Sequence, residues 1–188
     1  MGPGNRNKVR RPPQKLAAEA LFEYAVKYLA FQACSSEALR TKLRRRAATL
    51  TDIDATVARL KEIGYLSDER FAESYALNRA ENEGFGRMRV LSDLRAKRVP
   101  GGLAEKAVAQ VFEERSESAM IDAYIERRMT GLIAKGQVED EKELARAYRR
   151  LRRAGFSSGG VMTALKRRAA RPEAIEEPAD DEEAEGLD

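Results

Sequence analysis

Three stretches of this chain share one layout, and that repetition constrains the fold more than any other feature. They are "LRTKLRRRAATLTDIDATVARL" (39–60), "VLSDLRAKRVPGGLAEKAVAQV" (90–111) and "ARAYRRLRRAGFSSGGVMTALK" (145–166). Each holds an apolar pair, a basic cluster, a turn and a second apolar run. Anchored on Leu43, Leu94 and Leu151, a step of fourteen residues lands on Val57, Val108 and Leu165. A longer amphipathic segment precedes each stretch, at 16–33, 68–83 and 117–134. Such a period belongs to arrays of small units that bury their apolar faces within a unit and against the next.

Inside the units the spacing is helical. Ile53, Val57, Leu60 and Ile63 form one stripe, and Leu21, Ala25, Tyr28 and Leu29 another; period-two strands are missing. Aromatics are 6% of residues and Trp is absent, so several thin cores of Leu, Ala, Val and Ile fit better than one large core. The expected fold is all-α: three tandem three-helix repeats, at 16–66, 67–115 and 116–171, forming an elongated curved body. A Gly/Pro-rich basic arm (1–15) and an acidic tail (172–188) flank them, and both are expected to be disordered.

The stretch "GYLSDERFAESY", Gly64–Tyr75, reads as a compact hinge. Gly64 stands where a helix stops and a left-handed residue is wanted. Tyr65 follows it, and Leu66 folds back on Leu60 or Ile63. Ser67 caps the next helix, with Asp68 and Glu69 in its first turn at the positive end of the dipole. Phe71, Ala72, Tyr75 and Ala76 follow as a buried stripe. Ser35 or Ser36 caps an earlier helix, and Thr51 with Asp54 is expected to open the third. The hinge is expected to set the angle between helical units.

Known catalytic signatures fail in turn. "GPGNRNK" (2–8) is not a phosphate-binding loop, and Gly84–Gly86 is not followed by a dinucleotide fingerprint; it reads as a helix break. The chain has no His to serve as a general base and too few Cys or His ligands for zinc. Asp52 and Asp54 read as helix-start residues rather than a metal pair. No cofactor or metal is expected, and the protein reads as a non-enzyme. The single Cys, Cys34, points to a reducing compartment. With no signal peptide or membrane span in the pattern, a cytoplasmic, monomeric protein is expected.

The positive signal is charge. The net charge is +4, but nine acids and no bases lie between Glu173 and Asp188. The basic residues recur at one place in each unit. The first unit has Arg40, Lys42, Arg44, Arg45 and Arg46, and the second Arg87, Arg89, Arg95, Lys97 and Arg98. The third has Arg146, Arg149, Arg150, Arg152 and Arg153, then Lys166, Arg167, Arg168 and Arg171. Each cluster alone reads as a solvated face. Three at equivalent positions read as a surface for a polyanion or an acidic protein. Most aromatics fall within helical stripes as core, leaving Phe85 and Phe156, beside glycines, as the more exposed pair. No platform for stacking bases is evident.

"SSEALRTKLRRR" (35–46), "VARLKEIGYLSDERFAESYALNRA" (57–80) and "GRMRVLSDLRAKRV" (86–99) together resemble the RecX family, bacterial modulators of the recombinase RecA. The resemblance covers about residues 18–170. It implies three three-helix repeats, binding to RecA–DNA filaments with inhibition of filament growth and recombinase activity, and regulation of DNA repair without catalysis. Partners would be the filament and single- and double-stranded DNA. A Lys-Gly or Arg-Gly pair, common in the family after the basic cluster, survives only as "RRAGF" in unit three. The turns after "RRRAAT" and "AKRVPG" are therefore expected to take other shapes. Two readings compete with the filament regulator: a general nucleic-acid-binding helical repeat, and a scaffold for acidic proteins.

Overall fold

The computed structural model describes residues 15–130 and 141–169. Among them are nine helices: α1 (Ala18–Phe31), α2 (Ser36–Leu43), α3 (Leu50–Glu62), α4 (Asp68–Glu81), α5 (Arg87–Ala96), α6 (Gly101–Phe112), α7 (Glu117–Arg128), α8 (Glu141–Arg153) and α9 (Ser158–Lys166). No strand occurs among the described residues. None of the described helices is long and apolar enough to cross a membrane. The arm up to residue 14, the acidic tail and Arg171 lie outside the described residues, as do residues 131–140, into which the expected 117–134 helix runs.

The chain divides into two units, Met1–Asp68 and Glu69–Asp188. In the first, α1, α2 and α3 close on Leu21, Ala25, Leu39, Leu43, Val57 and Leu60, none more than 1% exposed. Capping chemistry sets the helix starts. Ser35 Oγ accepts from the Ala38 N–H at 3.2 Å. Thr49 Oγ accepts from the Asp52 N–H while the Asp52 carboxylate accepts from the Thr49 N–H, a reciprocal capping box. The expected Thr51/Asp54 start is thus two residues late, and Asp54 instead pairs with Arg40. Gly64 closes α3 as expected, at φ +76°. Its N–H donates to Lys61 O (3.0 Å) and that of Tyr65 to Leu60 O (2.9 Å), the paired bonds of a Schellman cap. Leu66 is buried in the same core.

The second unit holds two cores. Ala72, Ala76, Val90, Leu94, Ala104 and Val108 join α4, α5 and α6. Ile121, Ile125, Tyr148, Leu151, Val161 and Leu165 join α7, α8 and α9. All six anchors of the fourteen-residue step are at most 1% exposed. The step works because it links the middle of the second helix of a repeat to the middle of its third across one turn.

The two cores meet where two loops cross. The Gly86 N–H donates to Ala154 O at 2.8 Å, and the Met88 N–H to Gly155 O at 3.1 Å. The approach leaves no room for a side chain. A Cβ on Gly86 would lie 2.4 Å from Gly155 O, and one on Gly155 would lie 2.3 Å from Arg89 N. Gly155 also turns at φ +93°. Tyr124 stands between Phe85 and Phe156, edge-on to Phe156 with centroids 5.7 Å apart. Phe156, expected to be exposed, is therefore fully buried, and Phe85 is half-buried against both cores.

Gly155→Ala should lower the urea-unfolding free energy by about 3 kcal/mol, because it combines backbone overlap with a left-handed strain. Gly64→Ala, with open space around its Cβ, should lose only about 1 kcal/mol. Equal losses would show that the loop crossing yields without cost.

Candidate polyanion-facing surface

The second helix of each repeat is α2, α5 or α8, and each basic cluster runs off its C-terminal end. Cations there offset the negative pole of the helix. The turn that follows decides where the cluster points. After α8, the Gly155 N–H donates to Arg152 O (2.9 Å) and that of Phe156 to Leu151 O (3.3 Å). After α5 the same pair recurs, from Arg98 N–H to Arg95 O (2.8 Å) and from Val99 N–H to Leu94 O (3.1 Å). Arg98 takes the left-handed position at φ 60°, the only described residue other than glycine with positive φ. The second turn therefore keeps the shape of the third, contrary to expectation, at the cost of strain in Arg98. The first turn does differ. Both Arg46 and Ala47 N–H groups return to Leu43 O, and Leu16 bridges to Ala47.

The expected site residues separate by how far the fold already uses them. In the first repeat Arg44 lies 3.9 Å from Glu37, and Arg46 sits over the Tyr24 ring at 5.3 Å. Lys42 lies over Tyr28 at 5.2 Å. Arg45 is exposed, with no ion pair among the described residues. In the second, Arg89 pairs with Asp93 (3.1 Å) and Arg95 with Glu105 (3.2 Å), while Lys97 faces Tyr75 at 5.8 Å. Arg87 is exposed and unpaired among the described residues. In the third, Arg152 is half-buried and donates to Phe156 O at 2.8 Å. Arg150 donates to Arg128 O and Arg153 to Arg149 O. Arg167 and Arg168 bind Asp122 at 3.1 and 2.7 Å, fastening the end of α9 to α7. Arg149 and Lys166 are exposed without an ion pair among the described residues. An exposed ion pair is worth little, so Arg44 and Arg95 can exchange partners readily. Arg152, Arg167 and Arg168 are held by the fold.

The aromatics expected in the cores lie mostly at their edges. Tyr148 is fully buried, but Phe22, Tyr24, Tyr28, Phe71, Tyr75, Phe112 and Tyr124 are half-buried. Cations cover several of them, most closely Arg59 over Phe22 at 3.9 Å. These rings are lids of the core rather than a base-stacking row.

Two charged groups organise the scaffold beneath this surface. Arg79 binds Asp93 through Nε at 2.9 Å, pairs with Glu83, and lies over Phe85 at 4.7 Å. Burial opposes its charge, but the hydrogen bonds to Asp93 and Glu83 outweigh it and raise its pKa. Asp68 is buried and accepts from Ser36 N–H and Ser36 Oγ, both at 2.6 Å, and from Lys61 Nζ at 3.2 Å. Burial pushes its carboxyl up, yet the Ser36 bonds and then Lys61 hold it below the ordinary carboxylate value. The nearby Cys34 thiol is raised by burial and then by the Asp68 charge, which keeps it protonated and unreactive. Among the described residues no acidic or Cys cluster has metal-binding geometry.

Residues 67–108 match a family model described as RecX, second three-helix domain. The chain is 29% identical to the regulatory protein RecX of Amycolatopsis mediterranei, over 82% of this chain and 89% of that one. It is 31% identical to the Deinococcus radiodurans regulatory protein RecX, over 84% and 72%, and 32% identical to that of Vibrio parahaemolyticus, over 68% and 77%. Among solved structures it resembles RecX from Lactobacillus salivarius, with TM-score 0.60, 18% identity, and coverage of 78% of this chain and 93% of that one. A second crystal structure of a regulatory protein RecX aligns with TM-score 0.62 at 16% identity, covering 80% and 73%. At these identities the two structures speak to fold alone.

Because Asp68 has a lower pKa folded than unfolded, its stabilisation is complete above the unfolded value of about 3.9 and fades as pH falls through the folded value. The stability gap between the natural chain and Asp68→Asn should thus be flat from pH 7 to about 5 and narrow below about 4. A gap independent of pH would remove the carboxylate from this role. Arg98→Gly should raise stability by about 1 kcal/mol in denaturant titration, by relieving the left-handed strain. A loss would mean that the guanidinium contacts outweigh the strain.

Proposed function

This chain belongs to the RecX family of regulatory proteins, and we propose that it binds the RecA–DNA nucleoprotein filament and restrains its growth, ATP turnover and recombinase activity. One observation carries the reading beyond kinship. Each three-helix repeat offers an exposed arginine that the fold leaves unpaired among the described residues, at or just beyond its second helix: Arg45, Arg87 and Arg149. Guanidinium forks suit both phosphate and carboxylate, so the three meet exposed DNA phosphates, acidic protein surface, or both. Occupying the filament this way blocks subunit addition and strand access without any chemistry by this chain. Its relatives are likewise named as regulators rather than enzymes.

The paired cations in the same clusters play a second part. Arg44, Arg95 and Arg150 stand exposed on the rim and strengthen encounter with a polyanion at low salt. Arg152, Arg167 and Arg168 hold the helices that present the others.

The test is DNA-dependent ATP hydrolysis by the cognate RecA, titrated with this protein at excess DNA. Inhibition should appear at protein levels well below those that coat the DNA. The triple variant Arg45→Glu, Arg87→Glu, Arg149→Glu should be at least tenfold less potent while keeping its far-UV helix signal. If hydrolysis is untouched while naked DNA is bound with a steep salt dependence, the chain is a general nucleic-acid binder instead.

A further inference from the structure

A groove of about 310 Å3 opens beside the loop crossing of the second unit. Met88, Phe112, Met120 and Phe156 give it an apolar floor around Gly86 and Gly155. Met88 is 60% exposed there, a large apolar side chain with no cover among the described residues. Arg87 and Arg115 stand on the rim; Arg87 has no ion pair among the described residues, and Arg115 pairs with Glu81 at 2.8 Å. Glu117 also lines the groove, but its two oxygens accept from Ser157 N–H (2.7 Å) and Ser157 Oγ (2.6 Å). The net demand is for acid at the rim and something apolar at the floor. The volume, at the bottom of the range for ligand pockets, suits a single side-chain anchor better than a cofactor.

The chain itself supplies a segment of that description. "EAIEEP", residues 173–178, sets Ile175 between Glu173 and the pair Glu176–Glu177. Ile175 and Leu187 are the only apolar residues larger than Ala after residue 169. The attachment point is close. Arg167 and Arg168 bind Ser118 and Asp122, which flank the groove residue Met120 in sequence on α7. Six residues, 170–175, lead to Ile175 and span up to about 20 Å. That exceeds the length of α9, about 14 Å, and the N-cap of α9, Ser157, already lines the groove. A tether of this length gives an effective concentration of about a millimolar or more, so even a weak anchor is largely seated.

We propose that residues 173–178 dock in this groove, with Ile175 on Met88, Phe112 and Met120 and the flanking glutamates against Arg87 and Arg115. The groove is then an intramolecular interaction surface, and its occupation covers Arg87. The inference concerns this chain alone and stands or falls separately from the filament reading.

The experiment follows oxidation of Met88 by dilute hydrogen peroxide in the full chain, residue by residue, by peptide mass spectrometry. Met88 should oxidise at least threefold more slowly in the natural chain than in Ile175→Asp, with buried Met162 the same in both. A synthetic peptide of residues 170–180 should restore protection to Ile175→Asp, and a scrambled peptide should not. Equal Met88 rates in the two chains, fast or slow, overturn the proposal, as does protection that grows with protein concentration, which would assign the groove to a second copy. Because the readout needs neither RecA nor DNA, an unaffected ATPase leaves this result untouched.

Discussion

Two loops that touch through their backbones decide how the second unit is built. The Gly86 and Met88 N–H groups reach the Ala154 and Gly155 carbonyls, and no side chain intervenes. A chain without Trp and with few aromatics has little apolar area to spend on joining one small core to the next. Backbone hydrogen bonds at a glycine crossing solve this. They bring Tyr124 onto Phe85 and Phe156, so that three rings seal the seam. Each partner also has a local duty: Gly86 precedes α5 and Gly155 ends α8. The residues that stop and start helices are thus the ones that join repeats.

Charge is divided along the same lines. A basic surface repels itself, and the fold limits that cost by assigning carboxylates to some of its arginines. Asp93 serves Arg79 and Arg89, and Asp122 serves Arg167 and Arg168. Where a carboxylate meets helix starts, the peptide dipoles assist it. Asp68 receives Ser36 at the start of α2, and Glu117 receives Ser157 at the start of α9. What remains uncompensated on each repeat is a small number of exposed guanidinium groups. A surface with its internal ion pairs already made has fewer charges to present, but those charges are held on rigid helices.

Local features were legible in the sequence, and distant pairings were not. The helical stripes, the Gly64 stop, the Ser35 cap and the fourteen-residue step depend on neighbours a few residues away, and the structure has all of them. The third helix start shows the limit of local pattern. Thr-x-x-Asp occurs twice, at Thr49–Asp52 and Thr51–Asp54, and both precede the same apolar stripe. Only Arg40, which takes Asp54 for itself, separates them. Arg79 gives no warning, since its partner Asp93 is on another helix at a spacing with no local signature. Phe156 reads as exposed because it follows a glycine. It is buried because the opposing loop needs that glycine to come close. Of the basic clusters, the sequence marks where cations are dense, and the fold alone decides which are occupied.

The turns after the three basic clusters show how far a repeat can drift while keeping its shape. Gly155 makes its turn at no steric cost. Arg98 makes the same turn, with the same two hydrogen bonds, in a conformation that costs a side-chain-bearing residue about 1 kcal/mol or more. The first repeat abandons the pattern, and the strap of Leu16 across Arg46 and Ala48 takes up the backbone groups that the turn would otherwise satisfy. The constraint common to all three is therefore not the glycine. It is the need to return the chain from the end of the second helix to the core, so that the residue fourteen places after the anchor meets it. Leu43 with Val57, Leu94 with Val108 and Leu151 with Leu165 each satisfy that need by the turn their local sequence permits.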